Sequence, residues 1–433
     1  MRPCPAVQAR RGGVSVGLAL LGGAPVRSRP FPSWPQYGTP EEEAVVAVLR
    51  SGSWGGYSTK VEEFEKAFAA LHRVPYAISC VNGTIALEVA LRSLGIQCGD
   101  QVIVPAITFI ATATSVMLCH GVPVFADIDP VTLNLSPESV RAAITPRTKA
   151  IIPVHFGGQP ADMDALHEIT DHHGLAIIED AAHAQGAQWR GIPVGNFGDL
   201  ATFSFQAFKL MTSGEGGIIL TRSRTLAEKC WSYCNHGRHA SGGWFEHFSL
   251  GTNYRMTGLQ AAVLCEQLAR LPEQTHIRQA NVARLRRFLE PIKGLELGAD
   301  DQRVTAQPNY LVTLRYDPSA FNGLDRDVFL SALQAEGIPV KAPYPYPLYR
   351  NPLFQRKNLP PCACGRWEPA QDYESLNLPE CERLCRDGIW LDQTLFLGTA
   401  GDIDDIIEAC SKIQAMSKDL LTTQRGKHAE ERH

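Results

Sequence analysis

A lysine near the middle of the chain lies in an otherwise apolar segment. Lys209 ends the run Ser-Phe-Gln-Ala-Phe-Lys at residues 204–209, and a glycine-rich turn follows at residues 213–217. An amine removed from water has a lowered pKa, which suits a lysine for nucleophilic and base catalysis. For this residue alone, a lysine that reaches solvent from the end of a strand is an equally good interpretation.

A carboxylate and an imidazole follow another apolar run. Asp180 comes directly after residues 175–179, and His183 lies three positions further on. Open α/β sheets bind ligands at the carboxyl ends of their strands, which is where this carboxylate is predicted. Taken separately, Asp180 could equally be a helix cap, and His183 a hydrogen-bonded residue beneath a loop.

A strand-to-helix turn and an aromatic ring add two further features. Gly83 and Thr84 follow a predicted strand and begin a predicted helix, where free backbone N–H groups suit a phosphate. Phe109 stands at the end of a different predicted strand. Alone, the first feature is more simply a capped turn, and the second a core phenylalanine.

The four features together match the requirements of pyridoxal 5′-phosphate. Its aldehyde condenses with a lysine, its ring nitrogen stays protonated beside an aspartate, and its phosphate needs an anchor. Its flat ring also needs an apolar face, which Phe109 would supply. The sequence therefore predicts a site for this cofactor.

Six short apolar runs, bounded by turn residues, predict the strands that position these side chains. They lie at Tyr76–Cys80, Gln101–Pro105 and residues 123–127, 150–154, 175–179 and 200–205. Helical stretches such as Gly83–Leu94 separate several of them. Strands that alternate with helices and are apolar on successive residues are typical of a parallel sheet buried on both faces. We therefore predict an α/β fold with a mostly parallel sheet between helices.

The organisation of the chain is predicted from changes in this pattern. Residues 1–35 are predicted to form an N-terminal arm. We expect its beginning to be a frayed arm, or to follow from a start codon placed too early, rather than to be a removed signal peptide, because the apolar stretch is short and interrupted by glycines. Residues 36–290 form a large cofactor-binding domain and residues 291–415 a smaller α+β domain. Residues 416–433 are polar and are predicted to be a solvated tail.

Composition excludes several classes of protein. The 433 residues carry 41 basic and 45 acidic side chains, a balance that argues against nucleic-acid or anionic-membrane binding. No apolar run approaches the roughly 20 residues that span a bilayer. Twelve cysteines are too dilute for a disulfide scaffold. Cys362 and Cys364, with Cys381 and Cys385, lack the spacing of a zinc site, so we expect no metal. A soluble cytoplasmic enzyme is the remaining expectation.

The order of these motifs resembles the DegT/DnrJ/EryC1/StrS aminotransferases, over nearly the whole chain. This resemblance implies the aspartate-aminotransferase-like fold, type I of the enzymes that use pyridoxal phosphate, and a homodimer with active sites at the subunit interface. The segments that carry it are Asn82-Gly83-Thr84-x-Ala86-Leu87, Pro105-x-x-Thr108-Phe109-x-Ala111-Thr112, Glu179-Asp180-Ala181-Ala182-His183, Ser204-Phe205 with Lys209, Gly214-Glu215-Gly216-Gly217 and Gly251-Thr252-Asn253-Tyr254-Arg255-Met256.

The resemblance also implies a role for each site residue. Lys209 would bond to the cofactor's aldehyde and move the substrate proton, and Asp180 would pair with the pyridine nitrogen. His183 would lie near the 3′-oxygen of the ring. The remaining contacts implied are Gly83, Thr84 and Ser204 to the phosphate, Phe109 stacked on the ring, and Asn253 or Arg255 reaching the neighbouring subunit's site.

The implied activity is transamination, because some members of the family are dehydratases that carry histidine in place of this lysine, whereas Lys209 is present here. The opening segment and residues 346–350 are similar to the branch that aminates cyclitol ketones such as scyllo-inosose, with L-glutamine or L-glutamate as donor. Residues 203–212 are equally similar to 3-amino-5-hydroxybenzoate synthases, which dehydrate and aromatise. Nucleotide-linked keto sugars are the third class of acceptor.

Overall fold

The computed structural model describes residues 17–298, 300–359 and 368–422. Its helices, in chain order, are α1 (Thr39–Ser51), α2 (Thr59–His72), α3 (Gly83–Leu94), α4 (Ala111–Leu118), α5 (Pro137–Ala143), α6 (Met163–His173), α7 (Arg224–Cys234), α8 (Gly258–Leu289), α9 (Arg326–Ala335), α10 (Pro379–Asp387) and α11 (Ala400–Ala415). Its strands are β1 (Tyr76–Cys80), β2 (Gln101–Pro105), β3 (Val122–Ala126), β4 (Thr148–Ile151), β5 (Ala176–Asp180), β6 (Gln188–Trp189), β7 (Ile192–Pro193), β8 (Leu200–Ser204), β9 (Gly217–Thr221), β10 (Leu295–Leu297), β11 (Val304–Ala306), β12 (Leu311–Tyr316), β13 (Val340–Lys341) and β14 (Gly388–Asp392).

A seven-stranded sheet forms the centre of the large domain, in the order β1-β9-β8-β5-β4-β2-β3. The pairings from β8 to β3 are parallel, whereas β9 runs antiparallel to both of its neighbours. Each of the six predicted runs overlaps a strand of this sheet. Every residue of β2, β3, β8 and β9 is buried, because helices cover both faces. The prediction of a mostly parallel sheet is confirmed.

A second sheet, with the order β10-β12-β14-β13 and antiparallel pairing throughout, forms the smaller C-terminal domain. Its core includes the buried rings of Phe321, Phe329 and Phe396. Helix α8 connects the two domains: Leu264 packs in the core of the large domain, whereas Leu285 packs in that of the small domain.

Both ends of the described chain pack on the small domain. Leu18 is fully buried in that core, and Arg27 is 4% exposed, so the expectation of a frayed arm is wrong for residues 17–35. Residues 1–16 lie outside the described residues. Ser417 and Leu420 are also buried, so the expectation of a solvated tail is wrong for residues 416–422, and residues 423–433 are not described.

Two further expectations concern membranes and cysteines. Among the described residues, no helix combines the length and apolar character that crossing a membrane requires. Cys381 and Cys385 are buried free thiols in helix α10. Cys362 and Cys364 lie outside the described residues.

The N-terminal arm is joined to the small domain by a buried ion pair. Arg27 Nη1 donates to Asp402 Oδ1 and to Asp405 Oδ2, each at 2.7 Å. Arg29 reaches the same two carboxylates, but its side chain is 58% exposed. A buried charge that loses its partner is costly, whereas an exposed pair contributes little.

We expect Arg27→Ala to lower the free energy of unfolding by about 3 kcal/mol, because it leaves Asp402 without its buried partner. The matched change Arg29→Ala should cost less than about 1 kcal/mol, because water replaces an exposed guanidinium. Urea unfolding followed by circular dichroism measures both. Equal losses in the two variants would contradict this account of the arm.

Candidate active site

A cavity of about 820 Å³ opens at the carboxyl edge of β5 and β8, between the two domains. The structure brings together in its wall seven of the predicted site residues: Gly83, Thr84, Phe109, Asp180, His183, Ser204 and Lys209. Asn253, which is exposed, and Arg255 do not line this cavity.

Lys209 lies in the segment that follows β8. Its backbone N–H donates to the Gln206 carbonyl at 2.8 Å, which turns the chain so that the side chain enters the cavity. The amine lies 4.9 Å from the centre of the Tyr310 ring. Burial lowers the pKa of the amine to about 8, although the negative charge of Asp180 opposes this shift. About a tenth of the amine is therefore neutral and nucleophilic at pH 7, and about half at pH 8.

Asp180 is the last residue of β5, and it is 5% exposed. Burial raises the pKa of its carboxyl group, while hydrogen bonds and the charge of Lys209 act in the opposite direction. Oδ2 accepts a hydrogen bond from the Thr112 hydroxyl at 2.9 Å, and Oδ1 accepts one from the Ala182 N–H at 3.2 Å. These donors favour the ionised carboxylate.

A buried histidine and glutamate support the end of β5 from behind. The Ala161 N–H donates to His155 Nδ1 at 3.0 Å, so the hydrogen of this ring lies on Nε2 and is donated to Glu179 at 3.0 Å. Burial acts to raise the pKa of Glu179, but the bond from His155 and the backbone N–H groups of Gly195 and Gly198 outweigh it and lower the pKa. This network fixes the strand end that presents Asp180.

His183 faces the cavity in its neutral form. Its ring stacks on Tyr310, with the ring centres 4.2 Å apart, and its Nδ1 is buried without a hydrogen-bond partner. Burial and the nearby charge of Lys209 both lower the pKa of the imidazole. Because this nitrogen has no partner among the residues that the structure describes, the neutral imidazole is available to hydrogen-bond a ligand.

The first turn of α3 forms a site for an anion. Asn82 caps the helix by accepting from the Ile85 N–H through its side chain and from the Ala86 N–H through its carbonyl, which leaves the N–H groups of Gly83 and Thr84 free. A Cβ atom on Gly83 would lie 2.7 Å from the Cβ of Ser204. Glycine is therefore required where the helix end meets the hydroxyl of Ser204.

These residues fit pyridoxal phosphate. The helix terminus and Ser204 suit its phosphate, Asp180 suits a protonated ring nitrogen, and Lys209 suits its aldehyde. Phe109 is 58% exposed and lines the same cavity, so its face is open to a flat ring. The contact of each residue with the cofactor remains a prediction.

Four residues that sequence reasoning missed also belong to the site. Thr112 binds Asp180, and Tyr310 stacks on His183. Trp34 Nε1 donates to the Ala207 carbonyl at 2.9 Å, and Gln393 Nε2 donates to the Lys209 carbonyl at 3.2 Å. Trp34 and Gln393 come from the arm and the small domain, so no local sequence signal places them beside the lysine.

The chain is similar to a known protein family and to named relatives over most of its length. The family model of the DegT/DnrJ/EryC1/StrS aminotransferases matches residues 35–410. A relative from Streptomyces kanamyceticus, provisionally named L-glutamine:3-amino-2,3-dideoxy-scyllo-inosose aminotransferase, is 40% identical over 94% of this chain and 99% of its own length. The L-glutamine:2-deoxy-scyllo-inosose aminotransferase of Streptomyces fradiae is 38% identical over the same shares of the two chains.

A solved structure gives the same result for the fold. The crystal structure of 3-amino-5-hydroxybenzoic acid synthase superposes with a TM-score of 0.81, at 35% identity, over 90% of this chain and 100% of that one. The match therefore extends over both domains. The predicted fold, the aminotransferase activity and the pyridoxal phosphate cofactor are confirmed. This chain belongs to the DegT/DnrJ/EryC1/StrS aminotransferase family, and it is a pyridoxal-phosphate-dependent enzyme.

Proposed function

We propose that this aminotransferase moves the amino group of L-glutamine or L-glutamate to the keto group of a cyclitol related to scyllo-inosose. The observation that carries the choice of acceptor is the charge of the cavity wall. Among the lining residues in the described part of the chain, the lysines are Lys209 and Lys341, and no arginine is present. Lys341 is paired with Asp392.

A nucleotide-linked sugar brings two phosphate charges that need cationic partners, whereas a cyclitol is neutral and offers only hydroxyl groups. The part of the wall that one subunit supplies, whose second lysine is already neutralised, suits the neutral substrate. The names of the two relatives support the same choice, because both specify an inosose acceptor. The reaction of 3-amino-5-hydroxybenzoate synthases is the second candidate, supported by the structural similarity to that enzyme.

When bound, the cofactor supplies an electron sink for negative charge at the α-carbon of the donor. Lys209 Nζ, neutral in substantial fraction near its pKa of about 8, takes the proton from that carbon. Asp180 holds a proton at the ring nitrogen through its negative charge. The free N–H groups of Gly83 and Thr84 and the hydroxyl of Ser204 hold the phosphate. Since one cavity serves both substrates in turn, the keto product leaves before the acceptor enters.

The choice of acceptor is tested by separating the two halves of the reaction. Holoenzyme is first treated with L-glutamine and freed of small molecules, so that the cofactor carries the amino group. We expect scyllo-inosose and its deoxy derivatives to restore the original absorption spectrum, with formation of the aminocyclitol by mass spectrometry. Restoration by a nucleotide-linked keto sugar alone would contradict the proposal. Aromatisation of an aminodehydroquinate-type substrate would favour the second candidate.

The reactivity of Lys209 predicts a pH profile. Because only the neutral amine is nucleophilic, attachment of pyridoxal phosphate to the cofactor-free protein should slow about tenfold for each pH unit below about 8 and level off above it. Asp180→Asn should shift the midpoint to lower pH, since Asp180 raises the pKa of the amine. Stopped-flow absorbance measures the rate. Lys209→Ala should abolish attachment, and the control Lys229→Ala, on the distant helix α7, should leave the profile unchanged.

We further propose that the enzyme is a homodimer in which each subunit completes the other's site. Asn253 is exposed on its own subunit, and Arg255 lies over the Tyr57 ring at 5.2 Å with Nη1 buried and unpartnered. Nearby, Trp244 and Leu250 are 79% and 86% exposed. Large exposed apolar side chains often mark a protein interface. Since Asn253 and Arg255 do not line the cavity of their own subunit, we infer that this surface binds a second copy of the chain.

This arrangement predicts complementation between two inactive variants. Lys209→Ala lacks the lysine, and the double change Asn253→Ala with Arg255→Ala lacks the residues offered to the neighbour. Mixed dimers of the two contain one intact site, so an equal mixture should recover about a quarter of the wild-type activity. Sedimentation confirms that the mixture is dimeric. A mixture as inactive as its two components would contradict a shared site.

A further inference from the structure

Two buried threonine hydroxyls form a chain that ends on the carboxylate of Asp180. The Thr112 hydroxyl donates to Asp180 Oδ2 at 2.9 Å, and the Thr108 hydroxyl lies 2.9 Å from that of Thr112. A hydroxyl carries one hydrogen, and the hydrogen of Thr112 is committed to the carboxylate. Thr108 must therefore donate to Thr112, so both hydrogen bonds point toward Asp180.

The direction of this chain matters because each bond strengthens the next. When Thr108 donates to Thr112, it polarises that hydroxyl and makes it a better donor to the carboxylate. Thr108 and Thr112 are 2% and 1% exposed, so water does not replace either bond. A donor hydrogen-bonded to an ionised acceptor in such surroundings contributes more than a neutral pair does.

The same turn also carries Phe109, the predicted platform for the cofactor ring. The Thr112 N–H donates to the Phe109 carbonyl at 3.2 Å, and this bond begins helix α4. One short segment therefore sets the position of the aromatic face and the hydrogen bonding of the carboxylate. Both features line the cavity.

The other groups that face Asp180 do not provide an equivalent donor. Lys209 acts on it through charge, and Tyr344 interacts with it electrostatically across the cavity from the small domain. His155, behind the strand end, gives its ring hydrogen to Glu179. The second donor, the Ala182 N–H, binds Oδ1 at the longer distance of 3.2 Å. Among these groups, Thr112 makes the shorter hydrogen bond, and Thr108 reinforces it.

We propose that Thr112 and Thr108 are positioning residues, whose hydroxyl chain keeps Asp180 ionised and oriented for the ring nitrogen of the cofactor. The proposal does not depend on the identity of the amino acceptor. Removal of the chain should make Asp180 easier to protonate, because burial alone favours the neutral carboxyl. A protonated Asp180 no longer attracts a positive ring nitrogen.

The test measures binding of pyridoxamine 5′-phosphate to the cofactor-free protein, because this form carries no aldehyde and does not react with Lys209. We expect Thr112→Val, which keeps the shape of the side chain, to raise the dissociation constant about tenfold at pH 7. The ratio of this constant to the wild-type value should grow as the pH falls toward 5, as Asp180 becomes protonated in the variant. Equilibrium dialysis gives the constants.

Two conservative variants and a control distinguish this role from packing. Thr112→Ser keeps the hydroxyl and should restore binding to within about twofold, and Thr108→Val should have a smaller effect than Thr112→Val. The control Thr114→Val removes a hydroxyl of the same helix that donates to the Ile110 carbonyl instead, and should leave binding unchanged. A ratio that is the same at every pH, or a serine variant as weak as the valine variant, would overturn the proposal.

Discussion

The chemistry proposed for this enzyme depends on the burial of an amine and a carboxylate in one cavity. Burial disfavours the charged form of both, so it lowers the pKa of Lys209 and raises that of Asp180. The negative charge of Asp180 partly restores the pKa of Lys209, and the positive charge of Lys209 partly restores that of Asp180. The balance leaves a lysine that is neutral in large part near pH 8, beside an aspartate that needs additional donors to remain ionised. Exposed to water, neither group would have these properties.

The sheet supplies the proximity that this balance requires. Asp180 ends β5, and Lys209 follows the end of β8, which is the adjacent parallel strand. Strand β9 returns antiparallel, so its first residue, Gly217, also lies at this edge, between β8 and β1. A Cβ atom on Gly217 would lie 2.4 Å from the Asn82 carbonyl oxygen. The glycine therefore lets the turn that begins α3 approach the other strand ends.

Sequence reasoning predicted the parts of this arrangement that have local causes. Buried parallel strands are apolar on successive residues, and the residues at their ends form short contiguous motifs, so the sheet and the group around Asp180 were recognisable. The frayed arm was predicted wrongly because Arg27 is held by Asp402, a partner 375 residues away. Leu420 was likewise predicted to lie in a solvated tail, but it is buried in the core of the small domain. This burial arises only when that domain is folded, so the local sequence does not indicate it. Such contacts leave no periodic pattern in the sequence.

The position of Lys209 depends on these distant contacts as well. Gln393 Nε2 donates to the carbonyls of Phe208 and Lys209, and Trp34 Nε1 donates to the preceding carbonyl, that of Ala207. Three consecutive carbonyls of a segment outside regular structure are thus held by the small domain and the N-terminal arm. Because a catalytic group must be placed to within a fraction of an ångström, the role proposed for Lys209 requires that both elements be docked on the large domain. Trp34 and Gln393, which line the cavity, therefore also hold the backbone that carries Lys209.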